Sequence, residues 1–358
     1  MSQQYMMKGN EALAEAALRA GCRYFFGYPI TPQTELSAYM SKRMPKIGGT
    51  FLQAESEIAA INMVLGASSV GARVMTSSSS PGISLKTEGI SYIAGSDLPC
   101  LIVNVQRGGP GLGGIQPSQA DYFQATKAPG HGDLHIMVFA PASIQEIVDM
   151  VGRAFDKADQ YRVPAMLLAD GALGQMMEPI AFPDEGEEKK LPEKPWAANG
   201  TNGIRKPNII NSLYLNPNKL EDSVRERFER YEKIKENEVL YEEVMTDDAD
   251  LVLVAYGITS RICKTAVNLA RAEGIKLGLI RPITLWPFPE KIIAKTADHV
   301  KAFMSVEMSM GQMVDDVRLA VNGKCPVRFF GRTGGVIPTP NEILQAAKDV
   351  LASVGGDK

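Results

Sequence analysis

Two short segments near the start of the chain carry side chains whose types and spacing could do chemistry. Residues 27–32, with the sequence GYPITP, hold the hydroxyl of Thr31 between two prolines that restrict the backbone on both sides. Residues 53–60, QAESEIAA, place the carboxyl group of Glu57 at the start of an apolar helical pattern. Each segment lies where an apolar run gives way to a helical pattern, which is where open α/β sheets bind ligands.

Glu57 precedes a helical pattern, residues 58–67, that is too apolar for a surface helix. Burial in such surroundings penalises the charged form of a carboxyl group, so that the group can share a proton near neutral pH. The alternative is a carboxylate that merely stabilises a helix N-terminus. Glu55 is the rival carboxyl group, but its position two residues away predicts that it points elsewhere.

Arg107 follows an apolar strand pattern at residues 98–105 and opens a glycine-rich loop at residues 108–114. An arginine at the carboxyl end of a strand can hold a carboxylate through two parallel hydrogen bonds. The alternative is a surface arginine beside a flexible turn. For Thr31 the alternative is the N-cap of a helix over residues 33–40.

Two further segments and a histidine pair carry weaker signals. Residues 76–82, TSSSSPG, precede a helix predicted over residues 83–95 and could donate hydroxyl and N–H groups, but a polar turn would have the same composition. Residues 309–313, SMGQM, contain methionines at helical spacing, which is typical of a core. His131 and His135 are four residues apart, but the neighbouring glycines argue against a shared helical face and hence against a metal site.

The composition is that of an ordinary globular protein: 358 residues, of which 45% are hydrophobic and 22% charged. A net charge of −3 without a basic block argues against a nucleic-acid surface. Because there is no apolar signal core near the start and no run long enough to span a membrane, the sequence predicts a cytoplasmic protein without a membrane partner. The four cysteines lie far apart without a CxxC pair, which argues against an iron–sulfur or zinc site in this chain alone.

Strand and helix patterns alternate from residue 5 to about residue 180, which predicts a parallel sheet with right-handed crossovers. After residue 183 the chain becomes rich in charged residues, Asn, Gly and Pro, which is typical of a linker or arm. A charged helix over residues 220–244 follows, and it is either a solvated connection or a helix docked on a partner subunit. A second α/β pattern then starts at residue 251. We expect a first α/β domain, an arm with the charged helix, and a smaller α/β domain at residues 1–183, 184–247 and 248–358.

These motifs together resemble a known family. The string YPITP at residues 28–32, Glu57 within ESE-x-AA, and Arg107 followed by Gly-Gly-Pro are similar to the pyrimidine-binding half-site of the thiamine-diphosphate-dependent 2-oxoacid:ferredoxin oxidoreductases. The string RPITLWPFP at residues 281–289, with the pattern before it, resembles the transketolase C-terminal type of domain. The chain looks like an alpha subunit of the 2-oxoisovalerate or 2-oxoglutarate type. The resemblance implies an α/β fold with a pyrimidine-type parallel-sheet domain before a smaller transketolase C-terminal-like domain.

The resemblance also implies roles for the site residues. Glu57 would bind the coenzyme through a hydrogen bond to a nitrogen of its aminopyrimidine ring, and thereby help the thiazolium C2 to lose its proton. Thr31 would contact the coenzyme and the substrate, Pro29 the coenzyme, and Arg107 the carboxylate of the 2-oxoacid. Glu57, Thr31 and Arg107 are thus the predicted catalytic residues, and no metal ligand is predicted in this chain.

Motifs missing from this sequence imply partner subunits. In the family, Mg²⁺ holds the diphosphate through a Gly-Asp-Gly motif followed by an Asn, whereas residues 132–134 read GDL. We therefore expect a beta subunit that carries the diphosphate–Mg²⁺ half-site of a shared thiamine diphosphate. We also expect gamma or ferredoxin-type subunits that carry iron–sulfur clusters and pass electrons to ferredoxin.

The implied reaction is the oxidative decarboxylation of a 2-oxoacid with coenzyme A to acyl-CoA and CO₂, with electrons passed to ferredoxin. The loop at residues 108–116 lacks an extra cation for a second carboxylate, which favours a branched-chain 2-oxoacid over 2-oxoglutarate. The alternatives are a 2-oxoglutarate enzyme and one half of a transketolase- or acetolactate-type thiamine enzyme without ferredoxin. A non-catalytic assembly subunit is a third alternative.

Overall fold

The computed structural model describes residues 3–183, 191–201 and 203–355. The predicted arm begins in residues 184–190, which lie outside the described residues. Strands and helices alternate through the first part of the chain, as predicted, and a short 3-10 turn lies at Met44–Ile47. The strands and helices of this part are, in chain order, β1 (Gln4–Lys8), α1 (Gly9–Arg19), β2 (Tyr24–Gly27), α2 (Thr34–Arg43), β3 (Thr50–Gln53), α3 (Glu57–Ser69), β4 (Val74–Ser78), α4 (Ser80–Gly95), β5 (Leu101–Gln106), α5 (Tyr122–Thr126), β6 (Met137–Phe139), α6 (Ile144–Tyr161), β7 (Ala165–Asp170), α7 (Gly171–Gln175) and β8 (Met177–Ala181).

The second part of the chain begins with the charged helix and continues as a second α/β pattern. Its elements are α8 (Pro217–Asn237), β9 (Tyr241–Val244), β10 (Leu251–Val254), α9 (Gly257–Ala272), β11 (Leu277–Pro282), β12 (Thr284–Trp286), α10 (Glu290–Thr296), β13 (Ala302–Glu307), α11 (Met313–Val321), β14 (Val327–Gly331) and α12 (Pro340–Gly355). Across the described ranges, no helix combines the length and the apolar character needed to cross a membrane.

A seven-stranded sheet forms the larger core, with the strand order β12-β6-β7-β5-β4-β2-β3. Neighbouring strands are parallel except for β12, which pairs antiparallel with β6. Every residue of β4, β5 and β7 is buried, as is typical of a parallel sheet with helices on both faces. The predicted parallel sheet is therefore confirmed. Strands β1 and β8 form a separate antiparallel pair beside it.

The smaller sheet has the order β14-β13-β10-β11-β9, and only its edge strand β9 is antiparallel to its neighbour. The charged helix predicted over residues 220–244 is wrong in its last part. Helix α8 ends at Asn237, and Tyr241–Val244 pairs with β11 instead. The burial of these four residues alternates with the period of an edge strand, which explains the difference.

The two sheets are joined by a buried glutamine that uses all of its polar groups. Gln119 donates from its side-chain amide to the Tyr256 carbonyl at 2.8 Å and from its main-chain N–H to the Met308 carbonyl at 2.9 Å. Its side-chain oxygen accepts from the Thr259 hydroxyl at 2.7 Å and from the Met308 N–H at 3.0 Å. Since a buried amide left without partners costs free energy, these bonds fix the loop after β5 against the second sheet.

An ion pair between Glu146 and the buried Arg281 adds a second connection, at the start of helix α6. Ser143 caps this helix by accepting a hydrogen bond from the Glu146 N–H at 3.2 Å. The Glu146 side chain in turn accepts from Arg281 Nη1 of β11 at 2.8 Å. Arg281 is only 2% exposed. The Glu146 carboxylate, in the first turn of a helix on the first sheet, therefore neutralises a cation of the second sheet.

Candidate active site

The candidate residues lie at the carboxyl ends of four neighbouring strands of the large sheet, in the order β5-β4-β2-β3. Thr31 lies in the loop after β2, Glu57 begins the helix after β3, and Arg107 directly follows β5. Because these strands are parallel, their carboxyl ends meet at one edge of the sheet. The structure therefore brings the sequence-predicted segments to a common edge.

A buried glutamine, Gln33, fixes the loop that contains Thr31. Gln33 donates to the Tyr28 carbonyl at 3.2 Å and accepts from the Ser77 hydroxyl at 2.6 Å. Helix α2 begins at Thr34 with Gln33 at its N-cap position, so Thr31 is not the N-cap that the alternative interpretation required. Thr31 and Pro29 are both exposed, and the Thr31 hydroxyl is accessible to a ligand.

Glu57 is the first residue of α3 and is only 5% exposed. Ser56 caps this helix by accepting from the Ala59 N–H at 3.2 Å. The N-terminal end of a helix favours a negative charge, so the backbone contributes to holding a buried carboxylate here. Glu55, two residues earlier, is exposed. The environments of the two carboxyl groups thus differ sharply.

A glycine on the neighbouring helix makes room for this carboxylate. A Cβ atom added at Gly82, in the first turn of α4, would lie 2.6 Å from Glu57 Oε1 and 2.0 Å from Ser78 Oγ. Both distances are well below van der Waals contact. Helix α4 can therefore approach Glu57 this closely only because residue 82 has no side chain.

The serine run at the end of β4 provides unused hydroxyl groups beside this gap. The side-chain oxygens of Ser78 and Ser79 are buried and have no hydrogen-bond partner among the described residues. Buried hydroxyls normally find a partner, so these two have hydrogen-bonding capacity that the described residues do not use. The segment is not a polar turn: β4 runs to Ser78 and α4 begins at Ser80, three residues before the predicted helix start.

Arg107 is 7% exposed, so it is not the surface arginine of the alternative interpretation. Its Nη1 donates to the Thr31 carbonyl at 2.9 Å and its Nη2 to the Leu112 carbonyl at 3.2 Å, whereas its Nε has no partner among the described residues. The guanidinium therefore joins the Thr31 loop to the glycine-rich loop. It also retains N–H groups that a ligand can use.

A polar network fixes the backbone of Arg107. Its N–H donates to the Ser80 hydroxyl at 3.0 Å, and that hydroxyl donates to Asp121 at 2.6 Å. The Asn104 side chain donates to the same Asp121 oxygen at 2.9 Å. Burial raises the pKa of the Asp121 carboxyl group, and the hydrogen bonds from Ser80 and Asn104 oppose this rise.

Sequence reasoning missed several residues of this site. Three polar side chains hydrogen-bond the loops and helices of the site: Gln33, Asp121 and Lys86. Each is largely or fully buried. Only Lys86 had a usable signal. It lies three residues after Ile83 and four before Ile90, which places a lysine on the apolar face of α4.

No group of three or more His, Cys, Asp or Glu side chains suited to a metal ion occurs in the part of the chain that the structure describes. His131 and His135 belong to separate ring contacts, with Tyr92 and Trp286 respectively. Of the two methionines in segment 309–313, Met313 is in the core and Met310 is 77% exposed. The core interpretation of that segment is therefore right for one methionine and wrong for the other.

Comparison with known proteins connects these residues to a family. A family model described as pyruvate flavodoxin/ferredoxin oxidoreductase, thiamine diphosphate-binding, matches residues 15–245. A model described as pyruvate:ferredoxin oxidoreductase core domain II matches residues 249–343. The ketoisovalerate oxidoreductase subunit VorB of Methanothermobacter thermautotrophicus is 50% identical, over 96% of this chain and 97% of its own. The 2-oxoglutarate synthase subunit KorA of Methanothermobacter marburgensis is 38% identical, over 96% of this chain and 98% of its own.

Solved structures agree with this assignment. A 2-oxoglutarate:ferredoxin oxidoreductase from Magnetococcus marinus, with 2-oxoglutarate, coenzyme A and succinyl-CoA bound, matches with a TM-score of 0.86 and 28% identity. The match covers 97% of this chain but 65% of that chain, so the present chain spans less than two thirds of it. A split-gene transketolase, 16% identical with a TM-score of 0.61, shares the fold over 97% of this chain and 98% of its own.

The residues at the sheet edge fit the pyrimidine half of thiamine diphosphate. Glu57 offers a buried carboxyl group, Ser78 and Ser79 have unpartnered hydroxyls, and Gly82 lets the Glu57 carboxylate lie against helix α4. These are features of a site for a flat, polar ring.

Gly82→Ala should displace the Glu57 carboxylate without unfolding the protein, because both atoms that the new methyl group meets are the ends of side chains. We expect thiamine diphosphate affinity of the assembled enzyme to fall about tenfold or more, while stability changes by less than about 1 kcal/mol. Calorimetric titration and thermal unfolding measure the two effects.

Gly89→Ala is the matched control in the same helix. Its Cβ would lie 2.4 Å from Ile61 Cγ2 in the core, so this variant should lose about 1–3 kcal/mol of stability through overpacking. If Gly82→Ala kept full affinity for thiamine diphosphate, the gap at Gly82 would have no role in the site.

Proposed function

Because this chain belongs to the pyruvate flavodoxin/ferredoxin oxidoreductase family, we propose that it is the alpha subunit of a 2-oxoacid:ferredoxin oxidoreductase that acts on branched-chain 2-oxoacids. The observation that carries the proposal is the buried Glu57 carboxyl group at the carboxyl edge of the sheet, with Thr31 and Arg107 at the same edge. The reaction is the oxidative decarboxylation of the 2-oxoacid with coenzyme A to acyl-CoA and CO₂, with two electrons passed to ferredoxin.

Glu57 is the proposed catalytic carboxyl group. When bound, thiamine diphosphate supplies a carbon that becomes nucleophilic once it loses a proton, and its own aminopyrimidine ring takes up that proton. Glu57 would hydrogen-bond the ring nitrogen in a site from which water is largely excluded. The N-terminal position of Glu57 on α3, and the missing side chain at Gly82, let its carboxyl group lie here.

Thr31 and Arg107 are proposed to position the substrate, with Pro29 shaping the coenzyme side of the loop. Arg107 would hold the 2-oxoacid carboxylate with the N–H groups that the Thr31 and Leu112 carbonyls leave free. The same guanidinium holds the Thr31 main chain, so the accessible Thr31 hydroxyl lies beside the carboxylate-binding group.

A partner subunit is proposed to complete the site. The beta subunit would supply the Mg²⁺-binding half for the diphosphate, and gamma or ferredoxin-type subunits would supply the iron–sulfur clusters that reduce ferredoxin. The relatives are named as subunits, which supports an assembly. Large apolar side chains beside the site also support it: Ile58 and Leu85 are each 50% exposed, and Leu112 is 85% exposed.

Two observations bear on the substrate. The relative at 50% identity is named for ketoisovalerate, and loop 108–116 adds no cation that could hold a second carboxylate. A 2-oxoglutarate enzyme is the second candidate, because the KorA relatives and the Magnetococcus marinus enzyme are named for that acid. The transketolase match shows the fold alone and favours no reaction.

A cytoplasmic location is also proposed. Cys22, Cys100 and Cys263 are free and buried, and Cys325 is free and half-buried. Unpaired thiols are typical of proteins that work in a reducing compartment.

Assay of the assembled complex tests the proposed function. With coenzyme A and ferredoxin present, we expect kcat/KM for 3-methyl-2-oxobutanoate to exceed that for 2-oxoglutarate by roughly tenfold or more, since a second carboxylate would lack a partner. The chain alone, as control, should not bind thiamine diphosphate with submicromolar affinity. A preference for 2-oxoglutarate would favour the second candidate, and no turnover of either acid would overturn the proposal.

Arg107→Ala should raise KM for the 2-oxoacid about ten- to a hundredfold, because it removes a charged hydrogen-bond partner of the substrate. Steady-state kinetics of the complex measure KM, and the bound thiamine diphosphate content should stay unchanged. Arg107→Lys is the control: it keeps the charge but loses the planar fork, so it should recover part of the loss. An unchanged KM in Arg107→Ala would leave Arg107 only its structural bonds to the two loops.

A further inference from the structure

Lys86 is a fully buried lysine beside the candidate site, and nothing in the mechanism above uses it. It lies on the face of α4 that packs on α3, four residues after Gly82 and three before Gly89. Its aliphatic stem fills the same layer as the neighbouring apolar side chains. Leucine or methionine would pack there without the cost of burying an ammonium group.

The contacts of the ammonium group lead to the first turn of α3. Lys86 Nζ donates to the Thr76 hydroxyl at 3.1 Å and lies 3.5 Å from the main-chain carbonyl of Glu57. Within the described ranges, no carboxylate oxygen lies within 4.0 Å of Nζ, so Lys86 has no direct ion pair. The cation is therefore held by two neutral oxygens, one of which belongs to Glu57.

Glu57 is the charged group that Lys86 faces. Helix α3 presents Glu57, strand β4 presents the Thr76 hydroxyl, and strand β5 (Leu101–Gln106) has no ionisable side chain. Burial lowers the pKa of Lys86 to about 8, and the charge of Glu57 opposes this fall. With a pKa of about 8, Lys86 loses its charge just above neutral pH.

We propose that Lys86 is a positioning residue of the thiamine site, whose ammonium group anchors the first turn of α3 through the Glu57 carbonyl and thereby fixes the position of the Glu57 side chain. This proposal rests on the proposed function. The ammonium form of Lys86 donates charge-assisted hydrogen bonds to the Thr76 hydroxyl and the Glu57 carbonyl. Loss of a proton from Lys86 removes this charge and therefore weakens the anchor.

Removal of the charge tests this role. In the wild-type complex, thiamine diphosphate affinity should fall about tenfold as the pH rises through the Lys86 pKa of about 8, because the anchor then loses its charge. Lys86→Met and Lys86→Gln should bind thiamine diphosphate more weakly at neutral pH and should show no such fall. Calorimetric titration with thiamine diphosphate between roughly pH 6.5 and 9.5 measures this pH dependence of the affinity. The pH profile of kcat should change in the same way. KM for the 2-oxoacid should stay unchanged.

Thr76→Val is the matched control, because it removes a hydrogen-bond acceptor of Nζ and leaves the charge in place. It should lower thermal stability without moving the pH dependence. If the Lys86 variants lowered stability but kept the wild-type pH dependence, Lys86 would be a structural anchor only and the proposal would be overturned.

A measurement on the wild-type complex keeps the test decisive even if the variants do not assemble. Titrations with thiamine diphosphate in buffers of different ionisation enthalpy measure the number of protons exchanged on binding. This number should change between about pH 7.5 and 9. No change in the exchanged proton over that range would also overturn the proposal. A wild-type complex that binds no thiamine diphosphate would instead overturn the proposed function itself.

Discussion

The close approach of helices α3 and α4 is the constraint on which the rest of the site depends. Gly82 lets the Glu57 carboxylate lie against the first turn of α4, and Gly89 lets Ile61 pack one layer deeper. A Cβ atom at either glycine would overlap the neighbouring side chain so strongly that this side chain would have to move. The contact excludes water from Glu57, whereas Thr31 at the same sheet edge stays exposed. A dry carboxyl group at the same sheet edge as an exposed threonine is the central feature of the site.

Buried polar side chains hold the loops around this carboxyl group by their main-chain atoms. Gln33 fixes the Thr31 loop, Ser80 fixes the backbone of Arg107, and Gln119 fixes the loop after β5 to the second sheet. Main-chain anchoring leaves some side-chain groups unpaired, such as Arg107 Nε and the Ser78 hydroxyl. A site preorganised in this way spends little binding energy on ordering its own loops. The second sheet therefore contributes to the site without supplying one of its predicted catalytic residues.

The sequence predicts the parts that depend on local pattern. The alternation of strands and helices, the burial of Glu57 before an apolar helix, and the place of Arg107 after β5 all follow from residues close in the chain. Gln33 and Asp121 could not be found in this way, because their roles depend on contacts with Ser77 and Ser80, about forty residues away along the chain. The edge strands β9 and β12 were missed because a strand of three or four residues carries too little sequence pattern. The charged residues of α8 continue into β9, so the predicted helix covered both elements.

The claim that Glu57 drives proton loss from the coenzyme is tested most directly by the exchange of the thiazolium C2 proton with deuterium. Glu57→Gln and Glu55→Gln variants of the assembled complex would be loaded with thiamine diphosphate, quenched in acid at short times and followed by NMR. Exchange should slow about a hundredfold or more in Glu57→Gln with the coenzyme retained. Glu55→Gln should exchange at nearly the wild-type rate, because Glu55 is exposed. A near-normal rate in Glu57→Gln would contradict the account.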